Sequence, residues 1–378
     1  MNGCDLPAYD RSKCTFFALG RNAMYAACLG LGLGPDDEIL TPAFDCDGAL
    51  QPFRVLGCRR VFYRSDPHTF NVDIDDMRRR VTSRTKVVHV INHFGFPQRW
   101  ERLEIFRRET GIPILEDNAY SLFSECSGKP LGSFGDLAIF SLRKNLPLLD
   151  GGMLRVNNPA LRPKIVCQKA RWCHPVEYRD LLRVAARSFG LGRARHFLKG
   201  IVKRFDDSLE APPPLYSDYE KGWPEVVTRD TIGSDFSCDY IRPMSGLARS
   251  QLNSFKKDDI AEIARNKRSH YQWLVSRISP LKSVRIIWPQ MPDGAVPFCL
   301  SIILDKGRDT ILDELRKTYD VMAWPTLPGE VLGQMKDFPE VEYLGRKMLQ
   351  INLPSDKVRL KGFSKSMENL AQHICAIT

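Results

Sequence analysis

Between residue 20 and residue 156 the chain alternates short apolar runs with amphipathic stretches, and this alternation restricts the fold more than any other feature. The runs are DEILTPAF, RRVFYRSD, KVVHVIN, IPILED, LAIFSL and MLRV. Each has the length and the apolar content of a buried strand. Spaced by amphipathic stretches such as Trp100 to Arg108, they read as βαβ units and predict a mostly parallel α/β sheet. Ligands of such sheets gather at the strand ends.

Residues 157 to about 235 break the rhythm. The stretch is basic and contains APPPLYSDYEKGWP, an irregular connection. Within it Phe197, Leu198, Ile201, Val202 and Phe205 fall at helical spacing opposite Arg193, Arg195, Lys199, Lys203 and Arg204, which predicts a basic amphipathic helix. A long helix is expected at about 244 to 276, followed by alternating α/β segments to the C-terminus. The division that follows is a large domain over 1–255, carrying a basic insert at about 160–235, and a small C-terminal α/β domain over 256–378.

With 378 residues, 43% of them hydrophobic, the chain can bury one large core and a smaller lobe. Eleven cysteines include no CxxC, and Cys167 and Cys173 have no matching second pair, so no zinc site is expected and a reduced, cytoplasmic setting is. The N-terminus lacks an apolar signal core, and no run approaches the roughly 18 apolar residues of a membrane span. A formal charge of +10 fits nucleic acid, an anionic membrane surface or phosphorylated small molecules alike.

Chemistry concentrates in FSLRKNLPLLDGG, residues 140–152, just past the strand IPILED. A lysine held between a tight turn and a Gly-Gly pair can lose its water shell and act as an amine nucleophile toward an aldehyde. Lys144 is therefore the candidate for a Schiff base with pyridoxal phosphate (PLP).

Four stretches in order, GLGLGPDDEILTPAF, RTKVVHVINHFGFP, IPILEDNAY and GKPLGSFGDLAIFSLRKNLPLLDGG, resemble the DegT/StrS-type sugar aminotransferases, a family of fold type I PLP enzymes. The last two carry the specificity of the match. The resemblance implies a large domain with a mostly parallel, seven-stranded type of sheet plus a smaller C-terminal α/β domain. It implies that Asp117 pairs with the pyridine nitrogen and keeps the ring an electron sink. It places Gly20, Arg21 and Asn22, at the opening of the first helix, on the cofactor phosphate, where free backbone N–H groups favour an anion, with Ser141 beside them.

The chain departs from the family pattern in three places. Only Leu142 and Arg143 separate the Phe-Ser pair from the lysine, two residues fewer than usual. Cys46 aligns with the aromatic residue that stacks on the ring, and Tyr120 with a glutamine or histidine; Phe44, Asn92, His93 or Phe94 are the candidates to supply the missing face or polar contact. Asp239 stands where an asparagine of the partner subunit is expected, with Arg242 nearby to offset its charge.

The resemblance implies an aminotransferase that converts a nucleotide-linked keto-sugar to an amino-sugar, with an amino acid, glutamate, as donor, in a homodimer. No nucleic-acid partner is expected, and the basic insert is expected to cover the site entrance or touch an anionic membrane. Two alternatives stay open: a non-transaminating PLP enzyme acting on a sugar, and a PLP-fold binding or regulatory protein that docks through the insert.

Overall fold

A computed structural model of the chain describes residues 5–163, 241–324 and 327–354, with positions 372 and 374. The insert helix, Asp239, Cys167 and Cys173 fall outside the described residues.

Each of the six apolar runs forms a strand. They are β2 (Glu38–Pro42), β3 (Arg59–Tyr63), β4 (Thr85–Ile91), β5 (Ile114–Asn118), β8 (Leu137–Ser141) and β9 (Gly152–Val156), joined by an N-terminal β1 (Cys14–Phe17). Their order is β1-β9-β8-β5-β4-β2-β3. Pairing is parallel from β3 through β2, β4 and β5 to β8, and antiparallel at β9 and β1. The two-strand ribbon of β6 (Glu125–Cys126) and β7 (Lys129–Pro130) lies outside this sheet. Strands β2, β5 and β8 are buried at every position, as expected of a sheet covered on both faces.

Helices α1 (Gly20–Gly30), α2 (Gln51–Val55), α3 (Ile74–Arg79) and α4 (Trp100–Thr110) fall between the strands. On α4 the residues Trp100, Leu103 and Phe106 face inward, Arg108 faces water, and Gly111 ends the helix in the left-handed region at φ 70°. A single turn, α5 (Leu142–Asn145), follows β8.

The helix expected at 244–276 is two helices, α6 (Gly246–Ser254) and α7 (Lys257–Ile278). Phe255 is extended at ψ 126°, and the Asp259 carboxylate accepts the Lys256 N–H at 2.9 Å, which starts a new helix. The apolar periodicity runs through the break, because a cap interrupts the backbone without interrupting the buried face. Along α7 the buried row is Ile260, Ile263, Lys267, Tyr271, Leu274 and Ile278. Its one cation, Lys267, donates to the Leu353 carbonyl at 2.8 Å, and burial brings its pKa down to about 8.

The C-terminal part contributes β10 (Val284–Ile286), β11 (Cys299–Leu304), β12 (Val321–Met322) and β13 (Met348–Asn352), an antiparallel sheet in the order β10-β11-β13-β12. Helices α8 (Arg308–Leu315), α9 (Gly329–Leu332) and α10 (Pro339–Lys347) accompany it. It is tied to the large sheet by Arg54 and Arg60, both on Glu330, by Arg64 on Glu340, and by the Trp324 indole N–H on the Asp45 carbonyl. No helix among the described residues is long and apolar enough to cross a membrane.

Candidate active site

The parallel strands β2, β4, β5 and β8 end on one edge, and the residues that follow them converge there. Asp45 and Cys46 follow β2, His93 and Phe94 follow β4, Tyr120 follows β5, and Lys144 follows β8. This is the place where a parallel sheet holds a ligand.

Lys144 sits on α5, whose four residues accommodate the short spacing after Ser141. The turn is closed by the Leu142 N–H on the Gly151 carbonyl at 2.9 Å. Gly151 has φ 149°, and a Cβ there would lie 3.1 Å from Leu142 Cβ, so the glycine is required by both backbone and space. The Asn145 amide donates to the carbonyls of Ala119 and Ser141, each at 2.9 Å, and so fixes the lysine turn to the segment that carries Tyr120. Lys144 Nζ lies 4.0 Å from the Tyr120 ring centroid. Its side chain is open to solvent along one side while protein groups crowd the amine. Burial acts to lower its pKa, but Tyr120, Cys46 and Asp117 outweigh it and the net direction is up. Burial raises the Tyr120 phenol and pushes the Cys46 thiol up to about 12, so both are neutral at physiological pH.

On β5 adjacent carboxylates point to opposite faces, as strand geometry requires. Glu116, fully buried, accepts from the N–H groups of Gly132, Phe134 and Gly135 and from the Asn92 amide, at 2.5 to 3.1 Å. Asp117 turns the other way: Oδ1 accepts the Ala119 N–H at 2.7 Å, and Oδ2 lies 3.3 Å from His89 Nε2. His89 was not singled out in the sequence, nor was Asp45, a buried acid that approaches the other His89 nitrogen at 3.9 Å. Burial raises Asp45, His89 acts against it, Asp117 adds to it, and the carboxyl comes to about 7. A polar residue inside one apolar run (His89) and another just past the end of a second (Asp45) were the available signal.

At the α1 end of the site a Cβ on Gly20 would lie 3.2 Å from Ser141 Cβ, so these two expected phosphate contacts adjoin. The Arg21 guanidinium donates to Gln51 Oε1 at 2.8 Å, and Asn22 Oδ1 accepts the Leu19 N–H at 3.0 Å, which makes Asn22 a helix cap. The Arg242 carbonyl accepts the Ala18 N–H at 2.9 Å, which brings that segment to the same end.

Cys46 and Tyr120 are beside Lys144, as expected of site residues. Of the four residues considered for a missing aromatic or polar contact, Asn92 is bound to Glu116 and Asn118, while Phe44 and His93 are buried among Phe70, Phe94 and Trp324. Burial lowers His93 to about 4, so it is neutral. Phe94, 5.4 Å from the Tyr120 ring, comes nearest to Lys144 through that ring. Phe298 of β11's approach, 4.9 Å from Tyr120, closes its other side. Among the described residues no group of three or more His, Cys, Asp or Glu is placed to hold a metal.

The residues fit PLP. A buried, doubly held carboxylate stands on β5, an amine stands on the next strand's exit, and Gly20 at the start of α1 lies close against Ser141. This fold and this edge define a protein of PLP fold type I. Residues 10–183 match the sequence profile of the DegT/DnrJ/EryC1/StrS aminotransferase family.

Over 154 residues the chain is 34% identical to a dTDP-4-dehydro-2,3,6-trideoxy-D-glucose 4-aminotransferase of Saccharopolyspora spinosa, covering 40% of each chain. It is 30% identical to a pleiotropic regulatory protein of Geobacillus stearothermophilus over 182 residues, 47% of this chain and 49% of that one. The chain thus spans less than half the length of these curated relatives. An aminotransferase of Streptoalloteichus hindustanus shares the fold with TM-score 0.67 at 20% identity, over 98% of this chain and 88% of that one. So does an E. coli GDP-4-keto-6-deoxy-D-mannose-3-dehydratase, with TM-score 0.64 at 16% identity, over 94% and 86%. Proteins named for two different reactions therefore share this architecture, and the site must choose between them.

Proposed function

We propose that the chain is a PLP-dependent aminotransferase that converts a nucleotide-linked keto-sugar to an amino-sugar, with an amino acid, glutamate, as donor. The observation that carries this reading is the pairing of Lys144 and Asp117 on the exits of the adjoining strands β8 and β5. The activity for which the Saccharopolyspora spinosa relative is named supports the substrate class.

When bound, PLP supplies an aldehyde for amine exchange and a ring that accepts the electrons released at the substrate's α-carbon. Asp117 is a fixed anion for the protonated ring nitrogen, since the Ala119 N–H and His89 hold its two oxygens in place. Gly20 and Ser141 wall the phosphate end. Lys144 would hold the cofactor through its amine and, when free, would take the proton from the substrate α-carbon. A retained lysine favours transamination over dehydration, because the amine is the base that exchange requires. The chain's basic balance suits a diphosphate-linked sugar.

The test is the visible absorbance of the protein with PLP, before and after glutamate, and borohydride fixation of the cofactor. Wild type should show a band that glutamate shifts and a fixed adduct on Lys144; Lys144→Ala should show neither. A reducible covalent cofactor in Lys144→Ala would overturn the assignment, and a band that no amino acid shifts would overturn transamination.

A further inference from the structure

A buried polar row lies behind Asp117. Strands β2, β4 and β5 are neighbours, and Thr41, His89 and Asp117 project from the same face of the sheet. His89 Nδ1 is 3.0 Å from Thr41 Oγ1 and 3.9 Å from Asp45 Oδ2, while Nε2 is 3.3 Å from Asp117 Oδ2. Asp45, His89 and Asp117 are 2%, 0% and 5% exposed. Asp45 Oδ1 accepts the Cys46 N–H at 2.6 Å, and Oδ2 has no hydrogen-bond partner.

The protons can be counted. Nε2 faces a carboxylate and so carries a hydrogen. A bare Nδ1 would then leave the second Asp45 oxygen as a buried anion with no hydrogen-bond donor, its nearest opposite charge being Lys144 on α5. One further proton removes the conflict, whether it resides on Nδ1 or on Asp45. The Thr41 hydroxyl suits both placements, because it donates to a bare nitrogen and accepts from a protonated one.

We propose that Asp45 and His89 hold one proton in common behind Asp117, and that Asp45 is a positioning residue that acts through His89 to set the charge Asp117 presents to a ring nitrogen. The inference deepens the reading of Asp117 given above and rests on it. The titratable groups that face Asp45 are His89 from β4, Asp117 from β5, Tyr63 from β3, Lys144 from α5 and Cys46 in its own loop. Burial raises Tyr63 and Cys46, so neither carries charge near neutrality. The Asp45 carboxyl, which burial raises to about 7, gives up its proton as pH rises through that value. Its loss adds negative charge beside Asp117 and tightens the hold on a protonated ring nitrogen. By reciprocity, a ring cation bound at Asp117 makes the shared proton easier to lose.

The experiment is nuclear magnetic resonance of the full chain with isotope-labelled histidine and aspartate, titrated with and without PLP. His89 is assigned by His89→Gln. In the unmutated protein the His89 ring nitrogens and the Asp45 carboxyl carbon should move together in one step near neutral pH. PLP should shift that step to lower pH, and Asp45→Asn should abolish it. Independent titrations of His89 and Asp45, or an unchanged His89 step in Asp45→Asn, would overturn the proposal. Should Asp45→Asn fail to fold, the Asp45 carbon in the unmutated protein decides alone, and the absence of a shared step there overturns it. If PLP does not bind, the functional reading fails, while the step without PLP still decides whether the proton is shared.

Discussion

A methyl group added at Gly132 would lie 2.3 Å from the Phe140 ring, at a backbone φ of +93° that side chains rarely adopt. Gly132→Ala should therefore lose about 2–4 kcal/mol in denaturant unfolding, by overpacking and strain together. Asp117→Ala leaves the Ala119 N–H and His89 without their buried acceptor, so it should cost about 1–3 kcal/mol in unfolding and lower the half-reaction with the amino donor by orders of magnitude; near-normal turnover would remove its assigned role. Asp45 makes a prediction with a sign. Its folded pKa of about 7 lies above the model-compound 3.8, so the folded chain binds more protons than the unfolded one between these values. Its contribution to stability thus falls as pH rises through that window. Asp45→Asn should gain stability over wild type at about pH 8 relative to about pH 5, measured by urea unfolding. Lys144 and Asp117 were singled out in the sequence because Asp117 closes one apolar run and Lys144 follows another. Asp45 and His89 were not, since only three-dimensional placement makes two separate polar residues into neighbours.

At the level of elements, the six strands could be read because buried strands are short, apolar and evenly spaced. β1 escaped notice, as four residues of CTFF offer no period to detect. The break between α6 and α7 escaped because both helices keep one buried stripe and only the Asp259 cap marks the start of the second. The contact between α9 and the large sheet also lay beyond sequence patterns, since Arg54 and Arg60 reach Glu330 across some 270 residues. Burial acts to raise Glu330, but the Arg54 and Arg60 bonds prevail and hold it at about 2, below the ordinary 4.5. The stabilisation is present above about pH 4.5 and is lost as pH falls toward 2. Glu330→Gln should cost about 1–2 kcal/mol at neutral pH, because the pair is only partly buried. The difference from wild type should vanish in acid; a cost that persists there would mean the ion pairs are not its source.

For the molecule as a whole, the two-sheet division follows from the change of pattern after β9, and the family resemblance supplied what periodicity does not, namely the cofactor. The proposed functional unit is a homodimer, and sedimentation at micromolar protein should give about twice the 43.1 kDa chain mass. A fully active monomer would contradict it. The proposed role of the basic insert is tested by reversing charge at Lys199, Lys203 and Arg204: the Michaelis constant for a nucleotide-sugar or binding to anionic liposomes should change while the PLP band does not. One feature of β5 bears on how the chain is handled in the laboratory. Glu116 holds the loop of Gly132, Phe134 and Gly135, and Asp117 faces the amine, so the two acids are neighbours with separate duties. A slip of β5 by one residue would exchange them. Recovered turnover after dilution from denaturant is then a direct gauge of refolding fidelity, because a misregistered sheet keeps its secondary-structure signal and has no acid where the ring needs one.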